Sequence, residues 1–209
     1  MKKSIITSVL FVILSFCLTA QSKYVSGMNK AFSLIGEKKI NESVALFERI
    51  SQAETDKWLP SFHGAHTLIW NSFGVKEKAE LESLLEQAKL LIGESHRRSK
   101  NNAEIYSLEA MLYTSYMAYD PATYGMMYAA KIEGLHNKAF DLEPTNPRVL
   151  AGKIRYDHGK SMFFGQDPAP YCDKMKKIIP IFNENRSEEM FAPSYGLEQA
   201  KMFIQSCNE

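Results

Sequence analysis

The sequence predicts an all-α chain built from consecutive antiparallel helix pairs. Apolar residues recur at intervals of three and four along most of the chain, and no stretch reads convincingly as a strand. A joint at 135–147 supports this prediction. There an apolar helix face ends before Pro144, and Asn146 with Pro147 forms a capped helix start. Helix, proline stop and capped helix together indicate a series of helical hairpins.

About nine helices are predicted from this periodicity and from start and stop residues. Asn41 is a candidate N-cap, the pair at 101–102 precedes another helix, and Asp167 caps a helix that Pro168 opens. Pro180 is expected to end or kink that helix near Ile179. The predicted helices cover 24–38, 41–54, 59–74, 77–98, 103–119, 126–142, 147–162, the segment opened by Pro168, and about 195–206.

Residues 1–20 have the layout of a secretory signal peptide. Two lysines precede an almost unbroken apolar run, which ends in small residues before position 21. We expect cleavage after Ala20, export to the periplasm or the outside, and no stable membrane insertion afterwards. An uncleaved anchor is the alternative. Lipid attachment at Cys17 is not expected, because the bulky Phe16 stands where such a site has a small residue.

The charge balance of the remaining chain, 21–209, argues against a nucleic-acid partner. Removing residues 1–20 takes away two of the 25 basic residues and none of the 24 acidic ones, which leaves a formal charge of −1. Proteins that bind nucleic acid electrostatically need a basic face.

Two cysteines remain after this removal, and we predict that they form a disulfide. Cys172 lies near the start of one predicted helix and Cys207 at the end of the last, so antiparallel packing brings the thiols together. The alternative is two separate buried thiols. No CxxC pair is present, so neither a redox motif nor a zinc knuckle is indicated.

The spacing of small and aromatic residues resembles the tetratricopeptide family. In that family small residues on the two helices of a unit face each other, and a proline ends the unit. The resemblance divides the chain into units of about 24–57, 58–102 and 103–146, followed by a degenerate capping unit at 147–209. It implies a short right-handed α-solenoid. The matching positions are Ala31, Phe47, Ala65, Ala88, Ala110, Ala139 and Pro144.

The resemblance also implies a function, since partners of this family lie on the concave face formed by the first helices. That face is expected to present Phe62, His66, Ile69, Ser107, Met111 and Thr114. This mixture favours a peptide or protein segment as the partner, with no cofactor. The main hypothesis is therefore an exported, non-catalytic scaffold or adaptor. The chain's ending also resembles secreted bacterial helical-repeat proteins whose role is not established.

Two other function classes stay open. One is a small-molecule carrier with an aromatic pocket between helix pairs, although these rings also suit inter-helix packing. The other is a metal-dependent enzyme using His63 and His66, which lack an obvious third ligand. The run at 156–158 does not form an acid–base couple, because neighbours on a helix point apart. The candidate rings are Tyr106, Tyr113, Tyr116, Tyr119, Tyr124, Tyr128, Phe163, Phe164 and Tyr171.

Overall fold

The computed structural model describes residues 23–184 and 187–207, and all regular secondary structure in these ranges is α-helical. The all-α prediction is therefore confirmed, whereas the expected signal peptide lies outside the described residues. The helices are α1 over 23–36, α2 Ile40–Ala53, α3 Leu59–Ser72, α4 Lys78–Arg98, α5 Ala103–Tyr119, α6 Pro121–Leu142, α7 Pro147–Phe163, α8 Ala169–Ile178, α9 Ile181–Glu184 and α10 Leu197–Ser206.

Two helix starts are fixed by asparagine caps. The side chain of Asn102 accepts a hydrogen bond from the N–H of Glu104 at 3.0 Å, which begins α5. Asn146 accepts one from Arg148 at 2.9 Å, which begins α7. Such caps satisfy N–H groups that have no partner within the helix. At Pro180 the helix breaks as expected, because α8 ends two residues before it and α9 follows.

Two other starts differ from the prediction. α6 begins at Pro121 instead of 126, because the Asp120 side chain accepts the N–H of Thr123 at 3.1 Å. Asp120 is thus the C-cap of α5 and also the N-cap of α6. α2 begins at Ile40 without a side-chain cap, so Asn41 lies inside the helix and does not cap it.

Consecutive helices pack against each other, and the first helices of the pairs also touch. α3 contacts α5 and α5 contacts α7, in addition to the contacts within and between neighbouring pairs. Small side chains allow this close packing, as where the Ser43 hydroxyl donates to the carbonyl oxygen of Ala31 at 2.8 Å. Pro144 lies exposed in a turn. Fully buried positions are Ala31, Phe47, Ala65, Ala88, Ala110 and Ala139.

The last helices have an apolar core of their own. Ile154 of α7, Met175 of α8 and Phe182 of α9 pack together with Ala200 of α10. The predicted disulfide is present here and joins Cys172 to Cys207, 35 positions apart in the sequence. In the described ranges, no helix is both long and apolar enough to cross a membrane.

Candidate functional site

The first helices α1, α3, α5 and α7 line a common groove, and residues 191–196 cross it. We call residues 191–196 the C-terminal strap. Two cavities lie in this groove and share Trp70 and Tyr195. One of about 340 Å³, the arginine cavity, has among its lining residues Trp70, Ser107, His136, Gly152, Arg155 and Tyr195. The other of about 420 Å³, the histidine cavity, has Phe32, His63, His66, Trp70, Phe191 and Tyr195.

Contacts at both ends hold the C-terminal strap against the helices. The carbonyl oxygen of Phe191 lies 2.7 Å from Nε2 of His63, which must therefore carry the proton and donate it. The Phe191 ring packs against Phe32, with 6.0 Å between the ring centroids. At the other end, the Tyr195 ring stacks on His66 at 4.1 Å. The strap thus contributes Tyr195 to both cavities and Phe191 to the histidine cavity.

Aromatic rings line the groove at its open edge. Trp70 is 49% exposed, and its ring stacks on that of His66 with 6.4 Å between the ring centroids. Phe73 is also exposed and lines the arginine cavity. Exposed rings grouped at a concave surface are typical of binding sites in soluble proteins.

Burial keeps the groove histidines neutral at ordinary pH. It lowers the pKa of His63 to about 4, although the hydrogen bond to Phe191 opposes this shift. Burial, aided by the neighbouring His63 and Arg155, lowers the pKa of His66 to about 3. Burial likewise lowers the pKa of His136 to about 4, with smaller contributions from Lys153 and Arg155. Neutral imidazole is the form that binds metals.

The arginine cavity contains one paired and one unpaired guanidinium group. Arg148 forms an ion pair with Glu104 at 2.6 Å, and Asn146 also donates to that carboxylate at 2.7 Å. By contrast, the Arg155 side chain makes no hydrogen bond or ion pair with any residue in 23–184 or 187–207. Burial lowers the pKa of the Arg155 guanidinium. The cavity therefore has an excess of positive charge.

The concave-face residues expected from the sequence fall into two groups. Ser107, Met111 and Thr114 of α5 line the arginine cavity, and His66 lines the histidine cavity. The expected register on α3 is corrected at two positions, because Phe62 and Ile69 are fully buried in the core. From α3 the groove receives His66 and Trp70, which are one turn apart and so lie on the same side.

The aromatic residues singled out from the sequence do not line either cavity. Tyr113 and Tyr116 of α5 pack against Tyr124 and Tyr128 of α6, with ring centroids 4.8 to 5.5 Å apart. They are inter-helix core residues. The rings that do line the groove were missed, because Phe191 and Tyr195 come from a segment with no periodic pattern.

The residues considered for metal binding or catalysis are not brought together. Within the described ranges, His63 and His66 belong to no group of three potential metal ligands. The Tyr156 hydroxyl donates to the carbonyl oxygen of Ala129 at 3.0 Å, whereas the His158 ring packs against Phe203. His158 lies beside Cys172 and Cys207, but these two sulfur atoms are joined to each other.

The fold of this chain resembles that of a known protein. No family model and no curated protein matches the chain. A solved structure that it resembles is the HusA haemophore from Porphyromonas gingivalis, with a TM-score of 0.76 and 20% identity. The match covers 88% of this chain and 92% of the haemophore. At this level of identity the likeness shows a shared helical fold and nothing finer.

Proposed function

We propose that this chain is an exported carrier of a flat aromatic small molecule of the porphyrin class, bound in the groove beneath the C-terminal strap. The observation that carries the proposal is the pair of adjoining cavities that share Trp70 and Tyr195. Their volumes, about 340 and 420 Å³, lie in the range of small-molecule sites.

The chemistry of the groove suits a flat ring system. The rings of Trp70, His66 and Tyr195 stack in that order, with 6.4 Å between the first two centroids and 4.1 Å between the last two. A macrocycle resting on the exposed face of Trp70 extends this stack and removes apolar surface from water.

The structural likeness supports a carrier over a peptide scaffold. The similar solved protein is a haemophore, that is, a carrier of haem. Two of the residues expected on a peptide-binding face, Phe62 and Ile69, are fully buried and unavailable to any partner. The carrier alternative drawn from the sequence is therefore better supported than the scaffold. A binding role without catalysis also agrees with the separate positions of Tyr156 and His158, whose side chains contact different parts of the fold.

Export is part of the proposal. The Cys172–Cys207 disulfide is typical of proteins that fold in an oxidising compartment. The signal peptide over residues 1–20, with cleavage after Ala20, stays a prediction. A carrier of this kind acts outside the cytoplasm, where an apolar cargo needs a soluble protein to cover it.

Absorbance titration of the protein with haemin and with iron-free protoporphyrin IX tests the proposal. Both forms are expected to bind saturably in a 1:1 complex, because the groove offers contacts to the ring. Trp70→Ala should weaken both by at least about tenfold, which corresponds to about 1.4 kcal/mol. The matched control is Phe163→Ala, since this ring is 72% exposed and lies outside the groove. The proposal is wrong if neither porphyrin saturates, or if the two variants behave alike.

A further inference from the structure

Arg155 is an unusual residue for an apolar groove. It projects from α7 into the arginine cavity, and its side chain has no partner in the described part of the chain. Arg155 is only partly buried, but a cation that faces an apolar cavity loses part of its hydration, so arginines in such places are normally paired. Arg148, about two helical turns earlier on α7, is paired in the usual way, through its ion pair with Glu104.

No neighbouring carboxylate neutralises Arg155. None of the residues of the described chain that line the arginine cavity is an Asp or a Glu. Glu104 lies nearby and its Oε1 accepts from Arg148 and Asn146, whereas its Oε2 is buried without a hydrogen-bond partner in the described part of the chain; its single negative charge is balanced by Arg148. Taken together, Glu104, Arg148 and Arg155 leave one net positive charge beside the cavity. An anionic group on a ligand is the complement of this arrangement.

A second observation points to a polar group at the same place. Nδ1 of His136 has no hydrogen-bond partner in the described part of the chain, although the residue is only 3% exposed and lines the cavity. Buried polar atoms in native proteins are normally satisfied. The unpaired nitrogen and the unpaired guanidinium line the same cavity, so one ligand group could satisfy both.

Gly152 allows these groups to approach each other. A Cβ atom at this position would lie 3.2 Å from Oγ of Ser107 and 3.3 Å from Cε1 of His136, both tighter than ordinary contacts. The missing side chain thus lets α7 lie close to Ser107 and His136. A hydroxyl, an imidazole and a guanidinium thus line the same cavity.

We infer that the arginine cavity binds a carboxylate of the ligand, with Arg155 as its ion-pair partner and Ser107 and His136 as hydrogen-bond donors. This inference rests on the proposed function and adds an orientation to it. The ligand's acid end enters the arginine cavity, and its apolar body lies on Trp70 and Tyr195 toward the histidine cavity. Arginine suits this role, since its planar fork matches a carboxylate in a bidentate pair.

Comparing iron-free protoporphyrin IX with its dimethyl ester isolates the carboxylate contribution. Both share the same ring, but only the free acid carries a negative charge. The wild-type protein is expected to bind the acid at least about tenfold more tightly than the ester. Arg155→Met should abolish this difference and leave the affinity for the ester unchanged, while Arg155→Lys should restore part of it. Equal binding of acid and ester by the wild-type protein overturns the inference.

Two controls separate this result from other effects. Lys153→Met removes a positive charge from the same helix at a residue that pairs with Asp157, and it should leave the acid-to-ester ratio unchanged. Thermal unfolding of ligand-free Arg155→Met should show a melting midpoint at or above the wild-type value, because the arginine is unpaired. A lowered midpoint would contradict that reading. If neither protoporphyrin IX nor its dimethyl ester binds to the wild-type protein, the proposed function itself is rejected.

Discussion

Lowering the pH from 8 to 5 is expected to destabilise the fold through two buried histidines. His63 is 6% exposed and His136 is 3% exposed, and burial lowers the pKa of each to about 4. In the unfolded chain a histidine has a pKa of about 6.5. Between these values the unfolded state binds protons that the folded state excludes, so acid favours unfolding.

The size of the effect follows from these pKa values. At pH 5 the unfolded imidazoles are almost fully protonated, while the folded ones are still mostly neutral. Linkage then gives a loss of about 2 kcal/mol for each histidine relative to pH 8. Two such residues remove about 4 kcal/mol, a large share of the 5–15 kcal/mol typical of a domain. His66 adds in the same direction, because its pKa is also lowered.

Urea denaturation at pH 8 and pH 5 measures this loss. His63→Gln keeps a neutral donor near Phe191 and should remove about 2 kcal/mol of the pH dependence, which is about a third of the contribution of the three histidines, as should His136→Gln. The window avoids the carboxylates, since the pKa of Glu109, for example, is lowered by its hydrogen bond to His96 and its stabilising effect is lost only in stronger acid. Equal stability at the two pH values, or variants as acid-sensitive as the wild type, would refute the reasoning.

Two further predictions concern packing and the disulfide. Ala139→Phe should destabilise by about 1–3 kcal/mol, because Ala139 is fully buried against Ala103, whereas Ala130→Phe on the exposed side of the same helix should have little effect in thermal melts. If both variants melt alike, the buried face of α6 has been misassigned. Cys172→Ser should cost about 3–4 kcal/mol in the chain-entropy picture, measured by denaturant titration without reductant. An unchanged midpoint would contradict a stabilising bridge.

The helix ends were predictable wherever a local cap or proline defines them. Asn102 and Asn146 each satisfy an N–H two residues later, so their effect is visible in the sequence. The predicted start of α6 at 126 is five residues late, because Asp120 and Pro121 begin this helix. The same two residues end α5 and begin α6. Such a double role is missed when each residue is assigned either as a helix stop or as a helix start.

The disulfide was also predictable, because it follows from where two helices begin and end. Cys172 and Cys207 needed only an antiparallel arrangement of the last helices to meet. This inference used the number of cysteines and the expected compartment. It did not require any knowledge of side-chain register.

The groove was predictable only in part, because some of the residues that line it come from a segment distant in the sequence. His63 and Phe191 are 128 positions apart, and no periodic pattern links them. On α3 an error of one position in register exchanged the buried Ile69 for the exposed Trp70. The unpaired state of Arg155 depends on which acids lie nearby in space, and sequence spacing carries no information about that.

A crystal structure of the chain with bound protoporphyrin IX tests the central claim most directly. The account predicts the macrocycle in the groove against Trp70 and Tyr195, with a carboxylate at the Arg155 guanidinium. A porphyrin bound instead at the exposed rings Phe163 and Phe164, with the groove empty, would contradict it.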